Sequence, residues 1–569
     1  MLIEPDALGS MYDYIVVGAG TAGNVVANRL TENPNISVLL IEAGGTNEGV
    51  VNSQIPFFAF SLIGTQYDWN YTTTPQSSVN NTVFPYPRGL ISGGTSSING
   101  MTFTRGSTEN YDILANITRD VGWSWDHMQT YFRKNERWTE PADNHSTVGQ
   151  FEPSAHGFHG ITAVSLPGFP RPIDPLILQA TKELSNEFSY NQDMNSGNHL
   201  GIGYMQATID HGVRSSSATS YLAPKFLGRS NLHVLLRHQV LRLVQTGKDA
   251  FRSIEVAAFS SDSPRARVFA RKDVILSAGV FGTPRVLLHS GIGDRDSLRR
   301  LGINPLHHLP SVGKNLTEHV QVANVWRVNS TDTVDSVLRN STLLAELMDQ
   351  WNRTHTGSFA AGYGNLIGFF RLPDNSTIFR EVPDPAAGPK TGHYEFLIAN
   401  IGAAVLPEGN YMSIVTSLLT PTSRGSLTLN SSDPLVYPLI NPNILAEPFD
   451  IFTSREAIRG AFRFLRAPVW KDYILGPAGD LAEVDIDDDQ QLDAHIVQNA
   501  GLGCHAAGTV AMTARDAGYG VVDPDLRVKG LNGLRVVDGS VIPFLPSAHT
   551  QAMIYAIAER ASDIIKFGR

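Results

Sequence analysis

The sequence predicts an α/β fold in which a Rossmann-type nucleotide-binding domain is interrupted by a second, α+β domain. Three observations predict it. Gly18-x-Gly20-x-x-Gly23 stands between a short apolar strand and a helix. Apolar strands of the same kind return near residues 273 and 534. Between them, from 318 to 498, the chain turns to proline-rich loops and strand-like stretches.

Taken in order, residues 1–10 read as a tail. Residues 14–17 form the first strand, 18–23 the turn and 24–31 the start of a helix. A second strand, 38–41, ends at Glu42 and Ala43. A carboxylate there accepts hydrogen bonds from ribose hydroxyls, while the helix N-terminus holds a pyrophosphate. Residues 273–279 make a strand that leads into a helix, where Pro284 suits the first turn and Gly291 the end. The acidic run 485–489 reads as a solvated helix start rather than a metal site. Residues 534–537 return to a buried strand, and 550–567 form a long helix with Met553, Ile554, Ile557, Ala561 and Ile564 on its apolar face. The expected organisation is therefore a tail at 1–10, the main part of the nucleotide-binding domain at 11–317, the inserted domain at 318–498, and the C-terminal part of the first domain at 499–569.

The bulk numbers exclude several classes. With 569 residues, 42% apolar and 17% charged, the chain is globular and too long for one core. A net charge of −10 argues against a nucleic-acid partner. No apolar run is long enough to span a membrane. The single cysteine, Cys504, permits no internal disulfide, and without a spaced histidine cluster it makes no zinc site, so no metal is expected. Eleven Asn-X-Ser/Thr sequons, at Asn35, Asn70, Asn80, Asn116, Asn144, Asn315, Asn329, Asn340, Asn352, Asn375 and Asn430, favour a secreted, glycosylated protein whose signal peptide precedes this numbering. Asn35 opens a buried strand and is expected to be bare.

Two histidines near the end carry the chemistry. His505 lies in Cys504-His505-Ala506-Ala507-Gly508 and His549 in Ser547-Ala548-His549-Thr550-Gln551, on either side of the strand and the turn Asp538-Gly539. A neutral imidazole titrating near working pH is suited to take a proton from a weak acid. A second glycine- and serine-rich segment, 87–100, runs from Arg88 through Thr95 and Asn99 to Gly100, with Thr102 just beyond. Its small residues let backbone approach a planar ring closely.

These segments, together with 277–293 and 423–429, resemble the glucose–methanol–choline (GMC) oxidoreductases over nearly all of residues 12–565. Within that family the chain is most similar to fungal aryl-alcohol oxidases, in phrases such as 67–74, 141–145 and 384–389. The resemblance implies an inserted domain built on an antiparallel sheet. It implies FAD held by the glycine turn and by Thr21, Ala22, Glu42, Thr95, Asn99, Gly100, Thr102, Val240, Asp538 and Gly539. Some members attach FAD through a histidine just before the position of Asn99; Ile98 stands there, so the FAD is expected to be non-covalent. Gln551 would begin a helix whose dipole faces the flavin. His505 becomes the base and His549 the partner of the alcohol oxygen, with hydride passing to the flavin. The implied partners are a small-molecule alcohol and dioxygen, reduced to hydrogen peroxide, or another electron acceptor; the protein is expected to be a monomer.

The chain departs from the aryl-alcohol pattern in the substrate pocket. Cys504 stands where Phe is usual and Gly100 where Tyr is usual, and the stretch around Ala403 shows no gate aromatic. Missing rings remove roughly 1 kcal/mol of contact apiece and widen the pocket. The alternatives are a sugar or other alcohol dehydrogenase with a non-oxygen acceptor, and a hydroxynitrile-lyase-like member.

Overall fold

The computed structural model describes residues 1–259, 264–402 and 406–568. Its first sheet is built around the strand Met11–Val17. This pairs in parallel with Val38–Ile41 on one side, Tyr14 opposite Val38, and with Ala266–Leu276 on the other, Ile15 opposite Val274. Leu232–Leu235 extends the first edge and Leu534–Val536 the second, both in parallel. The antiparallel strands His238–Gly247 and Ala250–Ala258 attach to the front half of Ala266–Leu276. Ile15, Val16, Leu39, Leu40, Val274 and Ile275 are all fully buried, which is why these strands read as continuous apolar runs rather than alternating ones. Residues 1–10, expected to be a tail, are drawn onto this sheet: Leu2 bridges Val234, and the Met1 carbonyl accepts from the Val234 amide.

The helix Thr21–Leu30 packs on this sheet beside the last helix, Gln551–Phe567. The Arg29 guanidinium lies 2.8 Å from the buried Glu559 carboxylate across their contact. The helix Gly279–His289 begins five residues before Pro284, so the proline lies inside it and not in its first turn. Proline cannot donate to the carbonyl four residues back. The Val280 carbonyl that this leaves free accepts from the Thr509 hydroxyl at 2.7 Å. Gly291, at φ +76°, does end the helical turn.

The second sheet is antiparallel, in the order Ile474–Pro477, Val320–Val328, Tyr411–Leu418, Tyr394–Ala399, Leu366–Phe370, Gly201–Tyr204. Ala500–Leu502 adds to the start of Val320–Val328. The helix Pro448–Phe464 buries Ile458, Ala461 and Phe464 in the same core as Phe396, Met412 and Ile414. The acidic run does begin a helix, with the Asp488 carboxylate accepting from the Gln490 and Gln491 amides. Asn35 lies ahead of its strand, which starts at Val38, and is exposed rather than buried.

Strand ends from both sheets meet at one seam. Val320–Val328 starts just after His319, Tyr394–Ala399 carries Glu395, and Ala500–Leu502 leads into His505.

Candidate active site

A cavity opens at the C-terminal end of Met11–Val17, between the strands that flank it. Open α/β sheets bind ligands at such a crevice. Of the residues expected to hold the cofactor, Gly18, Gly20, Thr21, Ala22, Glu42, Ala43, Arg88, Thr95, Val240, Asp538 and Gly539 line it. Gly18 has φ +100°, and a Cβ there would lie 2.4 Å from the Ser277 carbonyl; one on Gly23 would lie 1.9 Å from that of Gly18. The turn can be made only by glycines at these two positions.

The electrostatics suit an anion. The helices Thr21–Leu30, Gly279–His289 and Gln551–Phe567 have Gly20, Ala278 and Thr550 as N-caps, and in none does the N-cap residue's own side chain close the first turn. All three N-caps line the cavity. Their dipole ends therefore converge on one space, with the Gly279 amide alone taken by the Asp538 carboxylate. The Ser277 hydroxyl, also in the lining, is buried without a partner. Glu42 accepts from the Ala19 and Gly44 amides, each at 2.8 Å, and burial raises its pKa to about 7. Asp538 holds the Gly279 amide at 2.9 Å and the Thr283 hydroxyl at 2.6 Å.

Sequence reasoning missed the ring-lined part of this cavity, Trp69, Tyr71 and Phe281, with Arg285 over the Trp69 ring at 5.3 Å. Arg88 stacks over Tyr86 and Phe281 at 5.0 and 4.8 Å. Aromatic residues in the segment 67–71 were the available signal. Cys504, expected against the substrate, lines this same cavity. It sits in the left-handed region at φ +60°, a conformation costing about 1–2 kcal/mol outside glycine, and its thiol is pushed up to about 12 by burial. Ala403 lies outside the described residues. Asn99, Gly100, Thr102 and Gln551 are not in the lining of this cavity: the Asn99 amide donates to Gln551 Oε1 at 2.8 Å, at the start of the last helix, and Thr102 Oγ1 lies 3.2 Å from Met205 Sδ. Gly100 is overlain by the exposed Phe60, whose Cζ would lie 3.2 Å from an added Cβ.

The two expected histidines do meet. Their rings are 4.5 Å apart, edge to face. A third histidine, His319, was not anticipated, and it decides the protonation pattern. His319 Nε2 lies 3.0 Å from the Leu419 carbonyl, which can only accept, so Nε2 carries the proton. Burial, then the charge of His549, lowers the His319 pKa to about 3, so the ring is neutral and its Nδ1 is an acceptor. His505 Nδ1, 3.0 Å away, must donate to it. The remaining nitrogen of a neutral His505, Nε2, is therefore left with a bare lone pair. Burial first, and then His549, His319 and Arg88, hold the His505 pKa well below the ordinary value, which keeps it neutral.

Two carboxylates set this arrangement. Glu318 Oε1 accepts from the His505 amide at 2.7 Å and the His319 amide at 2.8 Å, and Tyr86 donates to its other oxygen. Glu395 Oε1 lies 2.9 Å from His549 Nε2, while its Oε2 is buried without a partner. The His549 amide donates to Thr104 Oγ1 at 2.9 Å. Nothing near either histidine in sequence announces these partners. Among the described residues, no three His, Cys, Asp or Glu side chains are grouped as metal ligands, and no helix is long and apolar enough to cross a membrane.

Family models, each described as GMC oxidoreductase, match residues 12–321 and 421–558. The chain is 43% identical to "Dehydrogenase eriK" of Hericium erinaceus, over 98% of this chain and 94% of that one. It is 39% identical to "Pyranose dehydrogenase 3" of Leucoagaricus meleagris, over 99% and 94%. Among solved structures it is similar to a formate oxidase of Aspergillus oryzae, with TM-score 0.90, 30% identity and 99% of both chains covered. It is similar also to a fungal aryl-alcohol oxidase, with TM-score 0.85, 28% identity and 98% and 99% covered.

Proposed function

The chain belongs to the GMC oxidoreductase family, with FAD as its cofactor, and we propose that it oxidises the CH–OH group of a sugar or other alcohol with His505 as the base. The residues fit FAD: the converging helix N-termini suit its pyrophosphate, and Glu42 has acceptor capacity left for ribose hydroxyls. Ile98 offers no nitrogen for a covalent link, which supports non-covalent binding. When bound, FAD supplies the two-electron acceptor for the carbinol hydrogen.

The observation that carries the reading is the bare Nε2 of His505. It takes the hydroxyl proton, and the Nδ1–H bond to His319 keeps the lone pair turned to the site. His549 Nε2 donates to Glu395, and in its protonated form the ring offers Nδ1–H to the alcohol oxygen. The relatives named as dehydrogenases support an acceptor other than dioxygen, and the pyranose dehydrogenases among them favour a sugar donor. The second reading is an aryl-alcohol oxidase releasing hydrogen peroxide, supported by the likeness to the solved fungal enzyme.

The test is an anaerobic screen of pyranoses, benzylic and aliphatic alcohols, followed by admission of air or a quinone. Bleaching by a pyranose and reoxidation by quinone alone support the first reading; reoxidation by air with peroxide supports the second. A flavin that stays yellow with every donor sinks both, and a lyase acting on hydroxynitriles would then be left.

Secretion and glycosylation are proposed on the sequons. Ten of their asparagines are exposed, while Asn315 is half-buried, its amide donating to the Pro543 carbonyl at 2.8 Å. Peptide mapping after endoglycosidase treatment should find Asn315 unmodified and glycans at some of the other ten; a chain bare at all ten overturns the proposal.

A further inference from the structure

Arg214 is 3% exposed and has no carboxylate partner among the described residues. Its Nε donates to the Ser53 carbonyl at 2.7 Å, and Nη1 to the Asn99 carbonyl at 2.6 Å and Asn99 Oδ1 at 2.9 Å. Nη1 also reaches the Ser96 carbonyl at 3.3 Å, and Nη2 has no partner among the described residues. Every acceptor is neutral. By contrast, buried Arg105 sits on Glu136 at 2.6 Å and buried Arg535 on Asp273 at 2.8 Å. A buried cation without a counter-charge is costly. Burial pushes its pKa down to about 9, which still leaves it charged at neutral pH.

Its place suggests what neutralises it. Arg214 stands behind the segment 94–99, whose Gly94 and Thr95 line the cofactor cavity. The same segment reaches the last helix through the bond from Asn99 to Gln551. That helix start is itself on the cavity wall, through Thr550 and Ile554. A fixed positive charge and a helix N-terminus are therefore brought to one wall, and neither is matched by an acid on that wall.

We propose that Arg214 is the standing counter-charge for the negative charge the flavin acquires on reduction, so that it sets the cofactor's reduction potential without touching the substrate. The proposal rests on FAD as the cofactor and not on the alcohol reading. Its readouts therefore need no donor: the flavin midpoint potential, and the dissociation constant of sulfite, whose adduct places negative charge on the ring. In the holoenzyme, Arg214→Gln should make the potential more negative and weaken sulfite binding by roughly tenfold or more. Arg214→Lys keeps the charge and should stay close to the parent in both. Unchanged sulfite affinity and potential in Arg214→Gln overturn the proposal. Loss of flavin, or an equal loss of sulfite affinity, in Arg214→Lys and Arg214→Gln alike also overturns it, because it marks the residue as a clamp on the 94–99 segment only.

Discussion

At the scale of residues, the site is a chain of hydrogen bonds with a direction. The Leu419 carbonyl fixes His319, His319 fixes His505, and the lone pair emerges at His505 Nε2. His505→Ala should lower anaerobic flavin reduction by about 10²–10⁴-fold, the usual worth of a general base; reduction at the parent rate would rule out the assignment. Because the His505 pKa is depressed, its neutral form persists when an ordinary histidine would be protonated. The reduction rate should therefore stay level as pH falls through 6.5 and drop only well below it, as stopped-flow profiles would reveal. An acid limb centred near 6.5 would contradict this. The two histidines were legible because they flank a recognisable strand and turn. Glu318, His319 and Glu395 were not, since each is brought in by a strand far away in sequence and no local pattern marks it.

At the scale of elements, the glycine turn and the existence of its helix were legible, because the steric demand is local, but the helix starts at Thr21 and not at 24. Gly18→Ala would set a Cβ against the Ser277 carbonyl at a positive φ, costing about 1–3 kcal/mol for the backbone strain alone. The variant should purify with a markedly lower flavin-to-protein absorbance ratio, and full flavin content would show that the turn can relax. The helix at Gly279 was misplaced because its proline depends on Thr509, 229 residues from the carbonyl it serves. The expected loss of an aromatic wall at Gly100 is likewise modified by a distant element, since Phe60 covers that glycine. Phe60→Ala should raise KM for benzylic alcohols by about fivefold, the worth of one ring contact, and leave KM for a pyranose unchanged. Equal changes for both would mean that the ring only packs.

At the scale of the whole molecule, the division into two sheets was visible in the change of composition near residue 318, but the strand Gly201–Tyr204 joins the second sheet from upstream of it. Its apolar residues carry no label of the sheet they serve. Near that strand lies a buried network in which His156 bridges Glu136 at 2.9 Å and Asp193 at 2.7 Å, with Arg105 also on Glu136. Burial opposes the imidazole's proton, but the two carboxylates outweigh it and raise the His156 pKa. The stability this contributes is fully present below about 6.5, the unfolded value, and is lost as pH rises through the raised folded value. The thermal midpoint should fall as pH is raised above 6.5, and more steeply than in His156→Asn; identical slopes would remove this network from the account.

The strand Leu534–Val536 pairs with Ala266–Leu276, and all strands of the second sheet but Gly201–Tyr204 lie between the two in sequence. On the ribosome it is therefore made long after its partner strand. Asp538, Gly539, Thr550 and Ile554, which close the cavity, are made later still. A nascent chain that has already translated its glycine turn cannot yet enclose a ligand, so FAD must be acquired after Ile554, more than 500 residues later, has been made.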